Sequence, residues 1–284
     1  PMAAVTAAAV KELREVTGGA MMDCKRALVE CDGDMEAAKE FLRKKGQAKA
    51  LKKSSRETSE GAIGLAVGPD QRSAALVKLA CETDFVARNE KFQVLLQQLS
   101  QHVLENGGDD VLGQTTSGGD TVQELVTQSV AELGENMQFL DAKQATVANG
   151  TVGSYVHMTG KIGVLVPLET EAPCNDDRLQ TLARDIAMHI AATPSEAVRA
   201  DQVDAAVLEK EKELLAAQAR ESGKPEEIIE KMITGRVNKF LKEVCVETQP
   251  FVKDPQVTVG QLVKDTSKAL GVGITFDRFV KFQF

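Results

Sequence analysis

Two stretches of this chain carry the same apolar spacing 87 residues apart. The first set is Phe92, Leu95, Leu96, Leu99, His102 and Val103; the second is Leu179, Leu182, Ala183, Ile186, His189 and Ile190. Each set falls on one face of a helix. Two strand-like segments precede each helix. Gly61-Ala-Ile-Gly64 recurs as Gly150-Thr-Val-Gly153, opening a strand in both copies. Ile63, Leu65 and Val67 alternate in the first copy; Val152 and Val156 carry the alternation less cleanly in the second. The second strands are Ala74–Cys81 and Lys161–Val166. A hairpin crossed by a helix, present twice, predicts a duplicated α+β core. In the first copy a further helix bears Val122, Leu125, Val126, Val130 and Leu133 on one face, and the polar stretch from Glu105 to Asp120 reads as loop.

The duplication organises the rest of the 284 residues. Residues 1–46 predict a three-helix N-terminal module. Thr6 caps the first helix, whose apolar positions are Val10, Leu13 and Val16, and Thr17-Gly18-Gly19 stops it. Met21–Glu30 forms the second. Asp34 caps the third, with Met35, Ala38, Phe41 and Leu42 on one face and Gly46 at its end. Residues 47–58 read as a basic linker, helical at first, with Lys44, Lys45, Lys49, Lys52 and Lys53 forming a solvated tether. Residues 59–147 make one half of the core; 148–200 and 245–284 make the other. Between these last two, residues 201–244 predict a protruding antiparallel helical hairpin. Val203, Val207, Leu214 and Leu215 mark one arm, and Ile228, Ile229, Met232, Val237, Phe240 and Leu241 the other. Ser222-Gly223-Lys224-Pro225 joins them, with Pro225 at the first helical position. Val257–Val259 and Ile274–Val280 read as strands.

Several function classes are excluded or disfavoured. A net charge of −8 argues against general nucleic-acid binding, which calls for excess Lys and Arg. Five scattered cysteines without a CxxC pair fit a reducing, cytoplasmic setting. No apolar run reaches eighteen residues, so no membrane span is expected, and the start PMAAVTAAAV lacks the features of a signal peptide. No GxSxG, HExxH or GxxxxGK[ST] pattern occurs. His102 and His189, on apolar helix faces, read as core histidines with one satisfied nitrogen. His157, at a strand end, reads as exposed. No catalytic constellation, metal site or cofactor loop emerges.

One junction departs from the duplicated plan. After the second strand the first copy has Thr83-Asp84-Phe85-Val86; the second has Glu169-Thr-Glu-Ala-Pro-Cys174, with no acid–aromatic pair. Either Thr83 and Asp84 bond nearby backbone while Phe85 folds inward, or the loop is specialised on a rigid scaffold. Here the chain resembles the elongation factor Ts family. Thr83-Asp84-Phe85-Val86, flanked by Cys81 and Phe92, is similar to its signature. So are the stretch from Thr17 through Met21, Met22 and Lys25 to Leu28, Gly153–His157, Ile186–Ala191, Ser222–Pro225 and Gln249–Phe251. The resemblance runs in order along essentially the whole chain.

The resemblance implies a guanine-nucleotide exchange factor, not an enzyme in the chemical sense, whose partner is the GTPase elongation factor Tu. It implies a ubiquitin-associated-like N-terminal module that docks on the GTPase through the region of Arg14, Met21, Met22 and Lys25. Asp84 and Phe85 match the pair that wedges between GTPase helices near the bound magnesium, Thr83 and Val86 belong to the same partner-binding turn, and His157 matches a contact from the second half. Residues 201–244 match a protruding coiled coil. Some relatives continue into a C-terminal helical module, whose contacts are not expected from these 284 residues. Two other classes stay open on the residues alone. One is a helix- or ubiquitin-type binding adaptor resting on the module and the hairpin. The other is an enzyme using His102, His189 and nearby carboxylates.

Overall fold

The computed structural model describes residues 5–157 and 159–284. It opens with three helices, α1 (Ala7–Thr17), α2 (Met21–Glu30) and α3 (Met35–Leu51). The Thr6 hydroxyl accepts from Ala9 N–H, and Gly18 ends α1 at φ 66°, a left-handed conformation that favours glycine. Asp34 caps α3 by accepting from Ala37 N–H. Val10, Leu13, Cys24, Ala27, Leu28 and Ala38 close a small core. Val16, expected on that face, is exposed; three short helices leave one flank of α1 uncovered.

Gly46 does not end the third helix, which runs on to Leu51. A mid-helix glycine costs about 1 kcal/mol, but strong helix formers follow it. The extension also packs on the helix Val122–Leu133, with Gly46 facing Ala131 and Ala50 against the first-half core. Nor are three of the five lysines expected in a solvated tether free in solvent, although Lys44 and Lys52 are exposed. Lys45 and Lys49 donate to the Asp23 carboxylate at 2.8 and 3.2 Å, and Lys53 donates to the Gly134 carbonyl at 2.7 Å. The Lys45 hydrogen bond, with Lys49 adding to it, holds the Asp23 carboxyl below the usual carboxylate range.

The first half comprises β1 (Glu60–Val67), β2 (Ser73–Cys81), α4 (Asp84–Ala87), α5 (Glu90–Asn106), α6 (Val122–Leu133) and β3 (Met137–Thr146). Its sheet is antiparallel in the order β1-β2-β3. The second half begins with β4 (Gly150–Val156), β5 (Ile162–Thr170) and α7 (Asp177–Ala192). The helical pair α8 (Ala205–Arg220) and α9 (Glu226–Val244) follows. These two pack on each other and bury Leu215, Ala219, Ile229 and Val237, while Leu214 is exposed. Pro225 sits one position earlier than expected, at the N-cap of α9. The chain then forms the small hairpin β6 (Pro250–Phe251) and β7 (Asp254–Thr258), then α10 (Val259–Leu270), β8 (Ile274–Thr275) and β9 (Val280–Gln283). β4 pairs with one edge of β5, and β8 and β9 pair with the other.

β3 and α10 go beyond the elements expected from sequence, and Val259 opens a helix instead of closing a strand. Both additions belong to the repeat. Cys81 pairs with Met137 and Ser73 with Thr146; in the second half Thr170 pairs with Ile274 and Ile162 with Gln283. Each half is therefore β-β-α-α-β, and α8–α9 is an insertion between the two helices of the second. The third strand of that half is broken between Thr275 and Val280, where Phe276 and Phe279 pack into the core.

The two sheets pack against each other through Ile63, Leu76, Ala145, Val152, Leu165 and Phe282. Their outer faces carry the helices, with Val77, Leu79 and Cys81 under α5 and α6, and Val164, Val166 and Leu168 under α7 and α10. β2 and β5 are thus buried on both faces, which is why each reads as a continuous apolar run. The recurring glycines Gly64 and Gly153 lie where helix meets sheet. A Cβ on Gly64 would run into Leu96 and Ser100, and one on Gly153 into the Ala183 carbonyl.

The repeated histidines serve this packing. His102 Nε2 lies 2.7 Å from Gln114 Oε1, and His189 Nε2 lies 2.8 Å from Gln249 Oε1. The backbone carbonyl of each glutamine accepts the N–H that opens the next helix, Val122 or Val259. Burial pushes the His189 pKa below its ordinary 6.5, with the Gln249 bond opposing that shift. The unfolded chain therefore binds the proton more readily, and stability falls as pH drops below about 6.5. Denaturant melts at pH 7.5 and 5.5 are expected to show a smaller loss on acidification for His189→Gln than for the unsubstituted protein.

Candidate functional site

The corner after β2 is built from local chemistry. Thr83 is extended at φ −127° and caps the single turn α4, its hydroxyl accepting from Val86 N–H at 3.3 Å. Val86 and Ala87 turn into the first-half core. Gln93 donates to the Ala87 carbonyl at 2.6 Å, and Asn89 caps α5 by accepting from Lys91 N–H. With residues 86 and 87 facing inward, the turn places Phe85 outward, and its side chain is 83% exposed. Of the two readings of this junction, the inward-folded ring is therefore wrong: Thr83 does bond nearby backbone, but Phe85 does not fold in. Asp84 is half-exposed and pairs with Arg88 one turn on, at 3.3 Å.

Beneath α4 the base is fixed. The buried Cys81 thiol donates to the Thr83 carbonyl, Sγ to O 3.1 Å. Burial, reinforced by the Glu135 carboxylate, pushes that thiol up to about 11, so it stays protonated and remains a donor. Glu135 accepts from Thr83 twice, from its N–H at 3.0 Å and its hydroxyl at 2.7 Å. Sequence reasoning missed Glu82, Glu135 and Asn136 because β3 was not recognised. The match of Thr121-Val-Gln-Glu-Leu-Val126 to Thr258-Val-Gly-Gln-Leu-Val263 is the signal that would have found it.

The other candidate residues lie on separate elements. Arg14 is exposed on α1, and Met21, Met22 and Lys25 are exposed on α2; Met21 and Met22 are 51% and 68% exposed. The module meets the core near the corner. Gly18 approaches the Glu132 carboxylate, and Glu132 pairs with Lys91 at the start of α5. His157 is exposed, and Tyr155 OH lies 3.1 Å from its Nδ1. Gly160, whose N–H donates to the His157 carbonyl at 2.7 Å, touches the first half, where Ile63 N–H donates to the Gly160 carbonyl at 2.8 Å. Among the described residues His157 makes no hydrogen bond to the Asp84–Phe85 turn; its bonded neighbours are Tyr155, Gly160 and Ile162.

What the corner offers is steric and electrostatic: an unburied aromatic ring beside a carboxylate on a braced support. Among the described residues, no group of three or more His, Cys, Asp or Glu side chains is arranged to hold a metal ion. No described helix is long and apolar enough to cross a membrane.

A family model described as "Elongation factor TS" matches residues 82–284. Proteins named elongation factor Ts are similar over nearly the whole chain. The one from Trichlorobacter lovleyi is 44% identical over 286 residues, covering 98% of this chain and 92% of the relative. That from Nitratidesulfovibrio vulgaris is 46% identical, covering 99% and 96%. That from Clostridioides difficile is 45% identical, covering 99% and 93%. The architecture and these likenesses define a translation elongation factor of bacterial type. Within that class the N-terminal helices, the two core halves and the inserted helical pair all fall inside the matched length. The chain belongs to the elongation factor Ts family.

Proposed function

We propose that this chain is the guanine-nucleotide exchange factor for elongation factor Tu. It binds the GDP form and promotes GDP release by inserting the Asp84-Phe85 turn near the partner's magnesium and phosphate site, so that GTP can bind. The observation that carries this reading is the solvent-exposed Phe85 ring on a braced corner. Bulk that is free in solution and rigidly mounted can displace a partner's helices; a buried or floppy ring cannot.

The energetics follow from linkage. A GTPase holds GDP largely through phosphate-loop amides, a lysine and magnesium. If exchange factor and nucleotide favour different arrangements of those parts, each lowers the other's affinity by the same factor. Burying a Phe side chain is worth ~1.5–3 kcal/mol, and each tenfold needs about 1.4 kcal/mol. One ring therefore supplies about one to two powers of ten, and the remaining contacts must supply the rest. The N-terminal module, taken as a ubiquitin-associated-like unit, docks through Arg14, Met21, Met22 and Lys25. Thr83 and Val86 hold the tooth, and His157 contacts the partner from the second half. The helical pair projects as a coiled coil. The setting is the cytoplasm, with no direct role for nucleic acid or membrane.

The test is direct. Elongation factor Tu loaded with labelled GDP is mixed with micromolar chain, and release is followed against excess unlabelled nucleotide. Release is expected to accelerate with chain concentration to a plateau. Unchanged release would end the proposal. Recovery of a different partner in place of the GTPase would favour the adaptor reading, which rests on the helical pair and on the N-terminal module, where Met21 and Met22 are exposed.

A further inference from the structure

The corner that carries Phe85 is cross-braced in a way its duplicate is not. The chain leaves β2 through Glu82-Thr83 and enters β3 through Glu135-Asn136, and each pair bonds the other's backbone. Glu135 accepts from Thr83 N–H at 3.0 Å, and Glu82 accepts from Asn136 N–H at 2.6 Å. Glu135 also takes the Thr83 hydroxyl at 2.7 Å. The buried Asn136 amide donates to the carbonyls of Arg56 at 2.7 Å and Ser54 at 3.4 Å, and Arg56 lies 3.6 Å from Glu82. One clasp thus ties the tooth, the third strand and the end of the segment leading from the N-terminal module.

The second half shows what the fold needs on its own. Cys81–Met137 and Thr170–Ile274 are the same register position in the two sheets. The residues beside them are Glu82-Thr83 and Glu135-Asn136 in the first half, and Glu171-Ala172 and Val272-Gly273 in the second. There the two sides of the corner are joined by one direct backbone bond, Glu171 N–H to the Gly273 carbonyl at 3.1 Å; the Thr170 hydroxyl donates to the Ala172 carbonyl at 2.7 Å, as the Cys81 thiol does to Thr83, within one side only. The duplicated architecture does not require the carboxylate clasp. It occurs in the half that presents an aromatic tooth. We infer that Glu135 is a positioning residue for exchange: by gripping Thr83 at two points it holds α4, and so Phe85, at a fixed angle before any partner arrives. This rests on the exchange-factor reading above. Its physical basis is preorganisation, since a ring held in its binding pose loses less freedom on insertion.

Two measurements on the full chain test it. The first is GDP release from elongation factor Tu as a function of chain concentration for Glu135→Ala, Glu135→Gln and Phe85→Ala. The plateau rate for Glu135→Ala is expected to fall about fivefold or more, while the half-saturating concentration moves less than twofold. Glu135→Gln should recover most of the plateau, because its carbonyl still accepts from Thr83 N–H and its amide can donate to the Thr83 hydroxyl. The second is amide hydrogen exchange without partner. Exchange over residues 83–86 should rise in Glu135→Ala, with Leu96 and Leu99 on α5 unchanged. A wild-type plateau in Glu135→Ala overturns the inference, as does an unchanged exchange rate at residues 83–86, or an equal loss in plateau and half-saturation. Phe85→Ala separates the two levels. If it also releases GDP normally, the tooth reading fails; if it is slow while Glu135→Ala is normal, only the clasp fails.

Discussion

Phe85→Ala is expected to lower the plateau rate of GDP release from elongation factor Tu by about ten- to a hundredfold, the equivalent of ~1.5–3 kcal/mol. Binding to the nucleotide-free partner should weaken by a smaller factor. The asymmetry is the content of the prediction. A ring that only anchors the complex contributes equally before and after GDP leaves, so its removal weakens binding and release alike. A ring that displaces helices around the nucleotide contributes mostly to the displaced state, and its loss falls on the rate. Phe85→Leu, which keeps part of the bulk, should lie between. The melting temperature of Phe85→Ala should be nearly unchanged, because the ring is 83% exposed and surface substitutions usually stay within about 0.5 kcal/mol. Stopped-flow release with labelled GDP, alongside titration of nucleotide-free partner, checks both halves. Equal losses in the two measurements would reduce Phe85 to an anchor.

Gly153→Ala should destabilise the fold by about 3 kcal/mol, the upper part of the overpacking range, because the obstacle to the new methyl is the Ala183 backbone and not a side-chain end. α7 would have to lift from β4, opening a gap across Leu179, Ala183 and Ile186, all fully buried. At about 2–4 °C per kcal/mol for a chain of this order of size, the melting temperature should fall by about 6–12 °C. Gly235→Ala is the matched contrast. Gly235 lies within α9 with open space around its missing Cβ, so the same substitution should stabilise by about 0.5–1 kcal/mol through helix propensity. Thermal melts of the two variants should move in opposite directions. A Gly153→Ala protein that melts like the unsubstituted chain would mean that α7 and β4 are not in close contact.

The residues proposed to contact a partner and those that build the scaffold had unequal visibility in the sequence. The scaffold's helices announced themselves because all twelve residues of the two matched sets are buried on one face, and a buried stripe leaves a periodic trace. The pairing of His102 with Gln114 and of His189 with Gln249 left none, since single bonds between residues 12 and 60 apart have no period. Phe85 was visible as a departure from the duplicate, but its direction was not. The exposure of that ring accompanies Val86 and Ala87 facing the core and Glu135, 52 residues beyond Thr83, holding Thr83.

The amino-acid sequence alone determined that this protein is a duplicated α+β scaffold with a helical module before it and a helical pair inserted in it, because apolar spacing and glycine placement are local physical quantities. It also determined the family resemblance, because that is carried by contiguous motifs. The length of α3, the third strand of the first half and the clasp beneath the tooth were decided only by tertiary structure. Each depends on contacts between segments far apart in the chain: Gly46 against Ala131, Met137 beside Cys81, and Glu135 on Thr83. Such long-range contacts can override local preference, as at Gly46, or supply pairing that no local pattern records.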